Sequence, residues 1–141
     1  MMEVKKIVVA YDGSKQSQKG LAWAVAMSAK FGADVITVTV IKPPEFSPTI
    51  SEIDEFYAHA EKHYQPMLEK VRKYGEEYGV LIKTEILHGH PAESIVKYAF
   101  EQKADLIITG TRGMGGFKNL IIGSVAQKVV SYSPVPVLVV K

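Results

Sequence analysis

Between Gly110 and Ser124 the chain carries the residues whose types and spacing could do chemistry: Gly110-Thr111-Arg112-Gly113-Met114-Gly115-Gly116, then Phe117 to Ile122, then Gly123-Ser124. Five glycines between Gly110 and Gly123 permit positive φ angles and close backbone approach. Successive N–H groups can then point into one concavity and hold anionic oxygens. Ser124 stands where an N-cap is expected, and a helix starting there adds free N–H groups and a partial positive charge. Arg112 and Lys118 lie in the same stretch and could neutralise phosphate, although simple solvation explains a loop cation equally well. The chemistry suits a phosphate chain, but two common phosphate motifs fail here. A Walker loop needs lysine directly after its second glycine, where this chain has Gly116 after Gly115. A dinucleotide fingerprint should follow the first strand, where only Asp12-Gly13-Ser14 is found.

Other candidates have plainer readings. His59 and His63 are four apart on a helical pattern, but Ala60-Glu61-Lys62 between them departs from the zinc-protease order, and a solvated face explains them better. In His88-Gly89-His90, strand-end packing and a helix N-cap are the better account. Trp23 and the seven tyrosines do not alternate with basic residues as a base-stacking surface would. No serine is paired with a base and an orienting acid, no carboxylate pair is set for hydrolysis, and no base stands beside the glycine loop, so no catalytic residue is assigned. ATP turnover by such a loop is expected to be slow at most.

The elements that must position the loop alternate along the chain. Apolar, β-branched runs at Ile7–Ala10, Val35–Ile41, Leu106–Thr109 and Val135–Val140 read as strands covered on both faces. Val80–Leu87, with Lys83 and Glu85, reads as an edge strand. Helical stripes fall at Ala22, Val25, Ala26 and Ala29; at Ala92, Ile95, Val96, Ala99 and Phe100; and at Ile122, Val125, Ala126, Val129 and Val130. A longer stripe takes in Ile53, Phe56, Ala60, Tyr64, Met67, Leu68 and Val71, and Pro66 inside it predicts a kink or break near Tyr64. The order β-α-β-α-β-α-β-α-β predicts an α/β fold: one doubly wound open sheet of five parallel strands, order 3-2-1-4-5, with helices on both faces and residues 1–141 forming one domain. Ligands of such sheets bind beyond the carboxyl ends of the strands, where the order reverses. The absence of cysteine excludes a disulfide framework and a thiol nucleophile. Lysine and arginine number 17 against 15 acidic residues, interspersed, which argues against a nucleic-acid stripe. No membrane segment or signal core is read, and a cytoplasmic protein is expected.

Gly110-x-x-Gly113, nine residues, then Gly123-Ser124 resembles the ATP-binding signature of the universal stress protein family. Ile7 to Ser14 resembles that family's opening strand and turn, His88 to Glu93 its segment after strand three, and Ser133 to Val140 its closing stretch. The resemblance implies that Asp12 and the backbone of Val40 contact adenine, with Ala10 and Thr109 nearby. It further implies that Gly110, Gly113, Gly123, Ser124 and Val125 hold ribose and phosphates, with Gly115 and Arg112 in the same loop, and that Mg2+ or Mn2+ is held through the phosphates. Asp12 also suits a turn ahead of the first helix, and the two roles are compatible. The function implied is that of an ATP-binding switch or binding module in stress response. Two alternatives stand beside it: a nucleotidyl- or phosphoryl-transfer enzyme on a related fold, and an interaction protein that does not use nucleotide. A homodimer through Val135 to Val140 is expected, because an apolar strand at a sheet edge pairs with another chain unless it is blunted or covered.

Overall fold

The computed structural model describes residues 2–45, 49–111 and 122–141. The strands are β1 (Lys6–Ala10), β2 (Asp34–Ile41), β3 (Ile82–His88), β4 (Leu106–Gly110) and β5 (Val137–Val140), and the helices are α1 (Lys15–Phe31), α2 (Ile50–Glu77), α3 (Pro91–Glu101) and α4 (Ser124–Tyr132). All pairings are parallel and the order is β3-β2-β1-β4-β5, as the element order predicts. The period of two along each strand divides the core in two. Ile7, Val9, Val35 and Ile108 pack beneath Leu21, Ala24 and Val25 of α1 and Val71 of α2. Val8, Ile36, Val38 and Ile107 pack beneath Ala92, Ile95 and Ala99 of α3 and Val129 of α4. β1, flanked on both sides, is shut from solvent at Ile7, Val8 and Val9, and burial of each such side chain contributes roughly 1.5–3 kcal/mol. No described helix is long and apolar enough to cross a membrane.

Several elements differ from the sequence pattern, each for a physical reason. β3 begins at Ile82, not Val80, because the Val80 N–H is taken by the Gly75 carbonyl at 2.8 Å, in the turn that ends α2. β5 begins at Val137, not Val135: Pro136 has no N–H for the ladder, and only its carbonyl serves, accepting from Ile107 N at 2.9 Å. The buried face of α1 is Ser17, Gly20, Leu21, Ala24, Val25 and Ser28, while Ala22, Ala26 and Ala29 face solvent. α1 lies close to the sheet, so its inner face favours small residues. A Cβ on Gly20 would sit 3.3 Å from Ile108, and the Ser17 and Ser28 hydroxyls are buried by donating to the carbonyls of Ser14 and Ala33 at 3.0 and 2.6 Å. The outer members of two stripes, Phe100 and Val130, are exposed, because the sheet is too narrow to cover faces that wide.

α2 runs unbroken from Ile50 to Glu77 through Pro66, so there is no break near Tyr64. Pro66, which removes the i+4 donor of the Lys62 carbonyl, and Lys62 are both exposed residues, so the lost bond falls on the solvent side of the helix.

Candidate functional site

Three strand ends and two helix starts meet at the carboxyl edge of the sheet. After Ala10, Tyr11 stays tied to β2: its N–H donates to the Val38 carbonyl at 2.9 Å and its carbonyl accepts from Thr39 Oγ1 at 2.8 Å. The chain then turns over Asp12 and Gly13. Asp12 Oδ1 accepts from Ser14 N at 2.9 Å, Gly13 takes φ +85°, and Ser14 caps α1 through Oγ, which accepts from Ser17 N at 3.2 Å. The positive φ and a Met67 sulfur 3.0 Å from where a Cβ would stand both call for glycine at position 13. Burial and the Asp12 charge raise the Tyr11 hydroxyl pKa above its ordinary 10.0.

Ala10, Val40 and Val125 are half-buried against the same apolar cluster, the one under α3 and α4. They bring the ends of β1 and β2 and the start of α4 to one rim. Thr109 is buried at the end of β4, its hydroxyl donating to the Gly110 carbonyl at 3.2 Å. Gly110 packs against α1, where a Cβ would lie 2.6 Å from that of Gln16. Arg112, Gly113, Gly115 and Lys118 lie outside the described residues. The chain on either side of them is pinned together: Thr111 N donates to the Val140 carbonyl at 3.0 Å, and the Thr111 carbonyl accepts from Gly123 N.

Ser124 is not the cap of α4. Gly123 holds that position, its carbonyl accepting from Gln127 N at 3.0 Å, and Ser124 is the first helical residue. A glycine cap offers no side chain to the first N–H groups of α4, and among the described residues no side-chain cap bond is made. The helix start therefore keeps its capacity for an external acceptor. That donor set fits phosphate oxygens.

The contacts of Thr111 with Val140, Gln16 with Gly110 and Met67 with Gly13 are not legible in the sequence, because they join distant segments, whereas His88 packs at the strand end, as expected, in a cluster at the end of β3. In that cluster His88 Nε2 lies 2.7 Å from Glu61 Oε1, and the ring stacks on Tyr57 with centroids 3.9 Å apart. His90 is the N-cap residue of α3 ahead of Pro91, as expected, but its side chain makes no cap bond. His59 and His63 are exposed, and among the described residues no group of three metal-ligating side chains forms.

An open parallel α/β sheet of this order belongs to the doubly wound class, whose ligands bind beyond the carboxyl ends of the strands. The Universal stress protein family profile matches residues 3–141. The chain is 39% identical over 139 residues to a universal stress protein of Methanocaldococcus jannaschii, covering 97% of this chain and 82% of that one. Its fold matches the universal stress protein UspA from Lactobacillus plantarum at a TM-score of 0.88 and 23% identity, covering 100% of both chains. It also matches a universal stress protein solved in complex with cAMP, at a TM-score of 0.72 and 26% identity over 99% of this chain and 96% of that one. The chain belongs to the universal stress protein family.

Proposed function

We propose that this protein binds ATP across the carboxyl edge of its sheet and works as a switch, its output set by occupancy and not by turnover. The observation that carries the reading is the common rim of Ala10, Val40 and Val125 beside the start of α4: an apolar ledge next to helix N–H groups that no described side chain caps. Adenine rests on the ledge. A carboxylate accepts several hydrogen bonds, so Asp12 can take the exocyclic amine while it supports its turn, and the Val40 backbone completes the edge. Gly110, Gly123, Ser124 and Val125 hold ribose and phosphates together with Arg112, Gly113 and Gly115, and Mg2+ or Mn2+ is held through the phosphate oxygens. The cAMP complex of a relative supports an adenine nucleotide as the ligand class.

Residues 1–141 act as one domain, the protein works in the cytoplasm, and two copies pair along β5, which the strand order leaves at a sheet edge with Val137 and Val139 half-exposed.

Titration calorimetry with Mg-ATP on protein proven nucleotide-free tests the reading. A saturable heat is expected, with at least tenfold weaker binding, about 1.4 kcal/mol, in Gly113→Val and Gly123→Val, which block close backbone approach. Absence of heat in the unaltered protein, or unchanged affinity in both variants, refutes it.

A further inference from the structure

The first half of α2 is held to the sheet at few points. Its buried residues, Leu68, Val71 and Gly75, all lie in the second half. With 28 residues α2 is about 42 Å long, whereas β2, with eight, spans about 26 Å, so the helix outreaches the sheet. One cluster ties this half down. His88, the last residue of β3, lies parallel to Tyr57 with the planes 7° apart and centroids 3.9 Å apart, while its Nε2 meets Glu61 Oε1 at 2.7 Å. Tyr57 and Glu61 are one turn apart on α2, so a single ring engages both.

What the cluster holds connects to the proposed site. His88 is the register partner of Ile41, and Gly89 N donates to the Ile41 carbonyl at 2.9 Å. Ile41 follows Val40, whose backbone is proposed to read adenine. Further along α2, Met67 rests on Gly13 in the turn that carries Asp12. α2 thus bears on both walls of the adenine end.

We infer that Tyr57, Glu61 and His88 form a proton-sensitive brace that positions the ends of β2 and β3 for the adenine base. The inference rests on the nucleotide reading. The three are positioning residues. With a neutral ring, the Nε2–H donates to the carboxylate; with a protonated ring, the same contact is a charge-assisted pair and the stack on Tyr57 gains a cation–π attraction. Among the described residues, the groups in contact with the ring are Glu61 and Tyr57 from α2. On its own strand the same face continues to Ile86 and Thr84, where Arg72 of α2 is held by Thr84 Oγ1 at 2.9 Å and by Glu69 at 3.0 Å. The charge-assisted form of the contact is therefore the stronger brace.

The test uses the full chain, Mg-ATP at pH 6 and pH 8, and two variants: Glu61→Gln, which keeps the hydrogen bond and removes the charge, and His88→Phe, which keeps the stack and removes the proton. Titration of the nucleotide's own phosphate is common to all three proteins and cancels in ratios between them. The half-exposed pair should make the unaltered protein about threefold tighter at pH 6, relative to either variant, than the same ratio at pH 8. Amide exchange across residues 53–64, compared at one pH, should be faster in both variants. Equal pH dependence in all three proteins, or unchanged exchange, overturns the brace. If the unaltered protein binds no Mg-ATP at either pH, the nucleotide reading fails by itself; faster exchange in the variants would then keep the brace and remove its link to adenine.

Discussion

Gly110→Ala is the sharpest probe of how β4 meets α1. Gly110 is buried, and a methyl group built on it lies 2.6 Å from Gln16 Cβ, 3.0 Å from Gln16 C and 3.2 Å from its carbonyl oxygen. Two of these atoms are backbone in the first turn of α1, so rotating a side chain gives no relief. The α1 start must move, although the Ser14 cap and the Asp12 turn anchor it. Forced overpacking of this kind costs about 1–3 kcal/mol. Replacing glycine also narrows the unfolded ensemble, which returns about 0.4–1 kcal/mol. The net expectation is a loss of about 1–2 kcal/mol, or a melting temperature lower by about 3–6 °C for a chain of this size. Thermal and urea unfolding measure it. Gln16→Gly removes the closest atom, so the double variant should be more stable than the sum of the two single changes by about 1 kcal/mol, a positive coupling in a double-mutant cycle. If Gly110→Ala unfolds at the temperature of the unaltered protein, or the cycle is additive, the close approach of β4 and α1 is not what requires glycine here.

Other outcomes follow from the same structure. Thr37 is fully buried and its hydroxyl has no partner among the described residues, so Thr37→Val should leave stability unchanged or raise it by about 1 kcal/mol in urea unfolding. Tyr11 has a folded pKa above its ordinary 10.0, first through burial and then through the Asp12 charge; its stabilising share is complete below pH 10 and is lost as pH rises through the folded pKa. Alkaline unfolding above pH 10 should accordingly be less steep in Tyr11→Phe. Light scattering at micromolar concentration should give about twice the 15.5 kDa of one chain, falling toward that value when Val137 and Val139 become lysine; a single-chain mass in the unaltered protein rejects the β5 interface. Turnover of Mg-ATP should stay below about 1 per second, the low end of typical enzymes, and a faster rate would replace the switch with the transfer-enzyme alternative.

The sheet was legible in the sequence because its strands are continuous apolar runs. Ile7 to Ala10 and Val35 to Ile41 have no other economical reading in a chain that alternates strand and helix, and connection rules then leave few strand orders. Helix faces were harder to read. Alanine marked the wrong side of α1 because the helix sits close to the sheet and buries Gly20, Ser17 and Ser28, residues that a hydrophobicity pattern scores as outward. Spacing alone places Phe100 on the inner face of α3, yet the residue is exposed. At the site, Asp12 was legible as a turn residue, whereas the cap expected at Ser124 falls one residue earlier, at Gly123, because glycine and serine both suit an N-cap. Strand-end packing at His88 was legible, but its partners Tyr57 and Glu61 were not: i,i+4 spacing joins those two, and only the tertiary fold brings them over the end of β3.

The order of the strands also sets a timetable for the growing chain. β1 pairs with β2 soon after both exist, but its other neighbour, β4, meets it through Ile7 and Leu106, 99 positions apart. At roughly 5–20 residues per second, the ribosome needs about 5–20 s to supply that partner. Throughout that interval the run Ile7-Val8-Val9, fully buried in the finished sheet, presents an open ladder of N–H and C=O groups. The central position that makes β1 the best-protected strand of the finished sheet thus makes it the most vulnerable one during synthesis, and early docking of α1, which follows β1 directly, is the cover available to one of its faces.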